Sequence, residues 1–139
     1  LSGVTIRLPT MVGLGAHDNF LADIFQNILD DQPIQMRNPE SLFNNIVLAK
    51  DLAGFLLKLS YSMPTEYTMT NIGSMEPLPL REVIHLLYRY SGKTEQVTYT
   101  EGGNAFMVSL ENVRKLGFRP ATVRGTIEQF VYETLGQIK

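Results

Sequence analysis

A chain of 139 residues with net charge −2, 44% hydrophobic and 19% charged residues has the composition of one ordinary globular domain, far from the disordered regime. Its Lys and Arg are scattered, which leaves no footprint for nucleic acid, and its apolar runs stop well short of the ~20 residues a membrane span requires. Cysteine is absent, which removes disulfides, thiol catalysis and thiolate metal sites and fits a reducing, cytoplasmic setting. No basic segment followed by an apolar one opens the chain, and Leu1 leads at once into a strand pattern, so residue 1 reads as a fragment boundary.

In chain order, Val4 to Leu8 alternates β-branched and apolar side chains up to Pro9 and predicts a buried strand. Pro9 to Ala16, with Gly13 and Gly15, reads as a loop. Asp18 reads as the N-cap of a helix over 18–31, in which Phe20, Leu21, Ile24, Phe25, Ile28 and Leu29 recur at helical spacing. Ile34 to Met36 is a short strand candidate, and Asn38-Pro39-Glu40-Ser41 a turn. Asn45 to Leu48 predicts a second buried strand that runs straight into a helix over 50–59. Tyr67 to Ile72 alternates as a strand before Gly73. Leu80, Val83, Ile84 and Leu87 mark a helix that closes near Ser91-Gly92. Gln96 to Tyr99 is another strand candidate, and 101–107 reads as loosely structured. Ser109 is expected to cap a short helix over 110–116, and Thr122 to begin a last one through Ile127, Phe130, Val131 and Leu135. Strands alternate with helices, so the fold class is α/β.

Four short motifs stand in sequence: Arg7-Leu8-Pro9-Thr10-Met11-Val12-Gly13, Lys50-Asp51-Leu52-Ala53, Asn71-Ile72-Gly73, and Leu116-Gly117-Phe118-Arg119-Pro120. In this order and spacing the chain resembles the C-terminal, substrate-binding portion of the extended short-chain dehydrogenase/reductases, the NAD-dependent epimerase/dehydratase family. The resemblance covers about residues 3–135. It implies a Rossmann-type α/β fold of which residues 1–16 are the last cofactor-sheet strand and its loop. It also implies that Leu8 and Pro9 lie beside the nicotinamide of NAD or NADP, and that Thr10 faces the substrate. A loop leaving the C-terminal end of a parallel strand is where open α/β sheets bind ligands. His17, in the loop after Gly15, is a further candidate substrate contact.

Departures from the family pattern qualify the substrate. The arginine that meets substrate phosphate in nucleotide-sugar enzymes of the family falls on Asn44, and the family's second phosphate-binding arginine has no counterpart in Thr100-Glu101-Gly102-Gly103-Asn104-Ala105. A guanidinium binds a diphosphate bidentately, whereas an amide is a weaker, neutral donor. Arg37, in a neighbouring loop, is the candidate substitute.

The glycine-rich dinucleotide motif and the Tyr-x-x-x-Lys pair of the family are not in this chain; Tyr61 and Tyr88, for example, have Thr65 and Gly92 four residues on. His17 and His85 are far apart, no spacing typical of a metal site occurs, and no Gly-x-Ser-x-Gly elbow is present, so no metal and no catalytic residue is assigned here. The expectation is a substrate-binding fragment of an NAD(P)-dependent epimerase, dehydratase or reductase of sugars or nucleotide sugars, inactive alone. Loop 9–16, Asn44 and the 100–107 stretch would enclose a small-molecule substrate, and open strand edges would favour a homodimer. The rival expectation is a non-catalytic binding or assembly module of the same descent.

Overall fold

The computed structural model describes residues 1–103 and 107–137. Along the chain run β1 (Gly3–Arg7), β2 (Thr10–Val12), α1 (Phe20–Leu29), β3 (Ile34–Arg37), β4 (Leu42–Phe43), β5 (Ile46–Leu48), α2 (Ala49–Tyr61), β6 (Tyr67–Asn71), β7 (Leu78–Pro79), α3 (Leu80–Ser91), β8 (Val97–Thr100), α4 (Glu111–Lys115) and α5 (Val123–Gln137). The strands form two-stranded pairs rather than one continuous sheet. Three are parallel, β1 with β6, β2 with β5 and β3 with β8; the fourth, β4 with β7, is antiparallel. Every parallel pair is closed by a long crossover carrying at least one helix, as parallel pairing requires. The expected α/β class is what the structure shows.

Two apolar cores lie on either side of β5. Ile46 and Leu48 enter a larger core with Leu21, Phe25 and Ile28 of α1, Val83, Ile84 and Leu87 of α3, and Ile127, Phe130 and Val131 of α5. Val47 enters a smaller one with Leu52, Phe55 and Leu59 of α2, Ile72, Val113 and Phe118. An alternating strand buried on both faces explains the unbroken apolar run at 46–48, and each of these side chains contributes about 1.5–3 kcal/mol by burial. Edge-to-face ring pairs close both cores, Phe25 on Phe130 at 5.5 Å and Phe55 on Phe118 at 5.2 Å between centroids.

Differences from the sequence reading are local. Residues 10–12 form β2 inside what reads as loop, because pairing with β5, in register from Thr10 opposite Ile46, supplies the hydrogen bonds that three residues cannot supply themselves. The cap of α1 is Asn19, one residue beyond Asp18. Asn19 accepts from Ala22 N at 3.0 Å and donates to Met11 O at 3.0 Å, while Asp18 sits in left-handed backbone at φ 53°. That second bond ties the helix start to β2, which Asp18 is not placed to do. Ser109 accepts from Glu111 N at 3.4 Å without being the cap of α4, a position held by Leu110. Gly92 closes α3 at φ 72°, as expected of a left-handed C-terminal residue. The expectation of loose structure at 101–107 falls partly on residues 104–106, outside the described residues.

Candidate functional site

β1 and β6 run parallel and end together at Arg7 and Asn71, register partners. The chain then turns through Leu8 and Pro9 into β2, so Leu8-Pro9-Thr10 stands at the C-terminal end of a parallel strand pair. Leu8 is 55% exposed. Pro9, Thr10 and His17 line one surface hollow of about 380 Å³, with Ala49 at the start of α2 on its wall. Leu8 is not among its lining residues.

Backbone geometry shapes this hollow. Gly13 is buried at φ 149°, where an added Cβ would stand 3.6 Å from Ala49 Cβ and 3.7 Å from Glu133 Oε2; Gly15 adopts φ 78°. Both are conformations that side chains other than glycine rarely take. Ala16 N donates back to Gly13 O at 3.1 Å, closing the turn, and Asn19 pins its far end.

His17 projects from that turn into solvent. Its Nδ1 lies 2.8 Å from Gly15 O, so Nδ1 carries the proton, and its Nε2 lies 3.6 Å from Asp18. The Gly15 carbonyl foremost, and then the Asp18 carboxylate, raise the imidazole pKa above its ordinary value. The ring therefore presents Nε2 as an acceptor when neutral and as a donor when charged.

Asn44 lies elsewhere. It is 3% exposed and holds the backbone of Val108 in a reciprocal clamp: Nδ2 donates to Val108 O and Oδ1 accepts from Val108 N, both at 2.9 Å. Its own carbonyl accepts from Ser74 N at 2.9 Å. Between these segments sits Gly73, where a Cβ would stand 2.6 Å from Val108 Cγ2 and 2.7 Å from Asn44 O, so only glycine fits. Ser74 Oγ donates to Ile46 O at 2.8 Å and meets Thr126 Oγ1 at 3.1 Å, joining β5 to α5 in the interior. A second hollow, of about 480 Å³, opens over this node.

Arg37 ends β3 on its exposed face, opposite Thr100, and makes no ion pair among the described residues. It lines neither hollow. The structure thus brings together Pro9, Thr10 and His17, with Leu8 next to them in the chain but outside the lining of the hollow, and sets Arg37 and Asn44 apart. A third hollow of about 200 Å³, lined by Arg7, Asn71, Ser109 and Asn112, lies where β1 and β6 end against α4. The sequence reading did not single out these residues as a group. Arg7 and Asn71 each stood in a motif, but only the register places them side by side.

No family model and no curated protein matches the sequence. Solved structures match the fold. UDP-glucose 4-epimerase of Thermus thermophilus, in complex with NAD, is 18% identical with TM-score 0.76, over 98% of this chain and 47% of that one. UDP-glucose 4-epimerase of Thermotoga maritima, with UDP-glucose, is 14% identical with TM-score 0.77, over 100% and 48%. dTDP-glucose 4,6-dehydratase of Bacillus anthracis, in complex with NAD, is 13% identical with TM-score 0.74, over 96% and 44%. The chain spans about half the length of these structures. Its fold is that of the C-terminal part of these Rossmann-type epimerases and dehydratases.

Proposed function

We propose that this chain is the substrate-side portion of an NAD(P)-dependent epimerase, dehydratase or reductase acting on a small hydroxy or carbonyl compound of the sugar or nucleotide-sugar kind. One observation carries the reading: the Leu8-Pro9-Thr10 segment leaves the C-terminal end of a parallel strand pair and turns into a hollow whose lining includes the half-buried Thr10 and the exposed His17. In the NAD-bound epimerase and dehydratase that share the fold, the chain aligns with less than half of the protein. The complete enzyme would bring the glycine-rich dinucleotide unit and the Tyr-Lys pair to this surface.

The residues present fit one side of a nicotinamide. Exposed Leu8 and ring-stiffened Pro9 offer an apolar edge for a flat ring, with no charged side chain among the residues lining the adjoining hollow except His17 and Asp18. When bound, the dinucleotide supplies hydride exchange with a substrate carbon. In this reading Thr10 orients a substrate hydroxyl, and His17, held by Gly15, offers Nε2 to a second oxygen. Arg37 is kept as a peripheral electrostatic contact, and Asn44 acts through the Val108 segment it positions. Exposed Leu56, Leu57 and Tyr61 on α2 give a second copy a surface to meet.

The test is expression of the gene product from its native reading frame, followed by NADH and NADPH fluorescence titration and a stopped-flow search for hydride transfer. Micromolar binding of one reduced cofactor is expected. A full-length product that binds neither would leave the non-catalytic binding or assembly module as the better account. Light scattering of the same preparation checks the dimer.

A further inference from the structure

Resting on the reading just given, the hollow above Asn44 narrows the substrate class: we infer that it receives an uncharged hydroxy or carbonyl compound with an apolar body, and not a nucleoside diphosphate. Diphosphate recognition needs several cationic or N–H donors converging on the anion. Among the described residues that line it, this hollow of about 480 Å³ has one guanidinium, Arg114, and two carboxylates, Glu76 and Glu111. No excess of positive charge faces the hollow. Glu111 is already joined to Lys115 at 3.0 Å on the same helix, and Arg114 rests against Met75 Sδ at 3.9 Å.

The neutral donors are committed as well. Asn44 spends one amide N–H and its carbonyl oxygen on Val108, which leaves a single N–H from a side chain that is 3% exposed. Ser74 donates its only hydroxyl proton to Ile46 O. The segment is also held in place, since a Cβ on Gly73 would stand 2.6 Å from Val108 Cγ2 and 2.7 Å from Asn44 O. What the hollow does present is apolar: Met75, Pro77, Met107, Val108 and Leu110, with Met107 52% exposed. A surface of this kind favours an alkyl or ring portion and excludes a polyanion by desolvation and by repulsion from Glu76.

Two probes sharing a glucosyl group separate the alternatives: UDP-glucose and hexyl β-D-glucoside, titrated by ligand-observed NMR into the full-length, cofactor-saturated protein in ~0.1 M salt. Hexyl glucoside is expected to bind at least tenfold more tightly, with the Met107→Glu variant weakening it severalfold and leaving cofactor affinity unchanged. Tighter binding of UDP-glucose, binding of neither probe, or insensitivity to Met107→Glu would overturn the inference. Cofactor binding, measured separately, decides the underlying reading: loss of it condemns the proposed function, whereas the ranking of the two probes bears on the substrate class alone.

Discussion

The hollow at residues 9–19 and the node at Asn44 are built from similar materials, glycines and side-chain amides, yet they do opposite things with them. At the first, Gly13 and Gly15 bend a short turn so that His17 is exposed and Thr10 stays half-buried on the wall of the hollow. At the second, Gly73 lets three segments close to contact distance, and the amide of Asn44 is consumed by the join. An exposed polar group with spare valence can meet a ligand; a buried one with its valence spent holds the fold. The comparison separates residues free to meet a ligand from residues that hold the fold, which the chemistry of their side chains alone does not.

The largest effect that would break the comparison belongs to Gly73→Ala. A methyl 2.6 Å from Val108 Cγ2 and 2.7 Å from a backbone carbonyl forces the segments apart, so a loss of about 2–4 kcal/mol is expected in urea denaturation of the full-length protein. A loss below about 0.5 kcal/mol would mean the node is loosely held. Asn44→Ala comes next, since it strips both partners from the Val108 backbone and should cost about 2 kcal/mol. Gly92→Ala, at φ 72° with open space around it, isolates the backbone term alone and should cost about 1 kcal/mol.

Smaller effects sharpen the open side. On the proposed function, Thr10→Val should leave the unfolding midpoint nearly unchanged while raising KM in the full-length protein, the converse of Asn44→Ala. The imidazole of His17 should titrate above its ordinary value by NMR, and Asp18→Asn should return only part of the shift, because the Gly15 carbonyl is its larger cause. Since folding raises this pKa, any stabilisation it brings is complete below the unfolded pKa and fades as pH rises through the folded one. For so exposed a ring the effect belongs in the titration curve and not in the unfolding midpoint.

The helices were legible from the sequence because their apolar stripes repeat over several turns: Leu21, Phe25 and Ile28 fix α1, and Val83, Ile84 and Leu87 fix α3. So was the doubly buried β5, from an unbroken apolar run. The strands β2, β4 and β7 were not, since two or three residues hold no period and take their register from partners tens of residues away. The same distance hid the role of Asn44. Its alignment with an arginine position could be read along the chain, but the clamp depends on Val108, 64 residues on. Thr10 and His17 were legible as neighbours because one short loop carries both.

The central claim is that Leu8 and Pro9 stand beside a nicotinamide, and it is tested most directly by cofactor titration of full-length Leu8→Asp. Leu8 is exposed, so the substitution spares the core. NAD(P)H should bind at least tenfold more weakly than to the parent, while ADP-ribose, which lacks the nicotinamide, binds equally to both. Unchanged NAD(P)H affinity in the variant would contradict the placement of the ring.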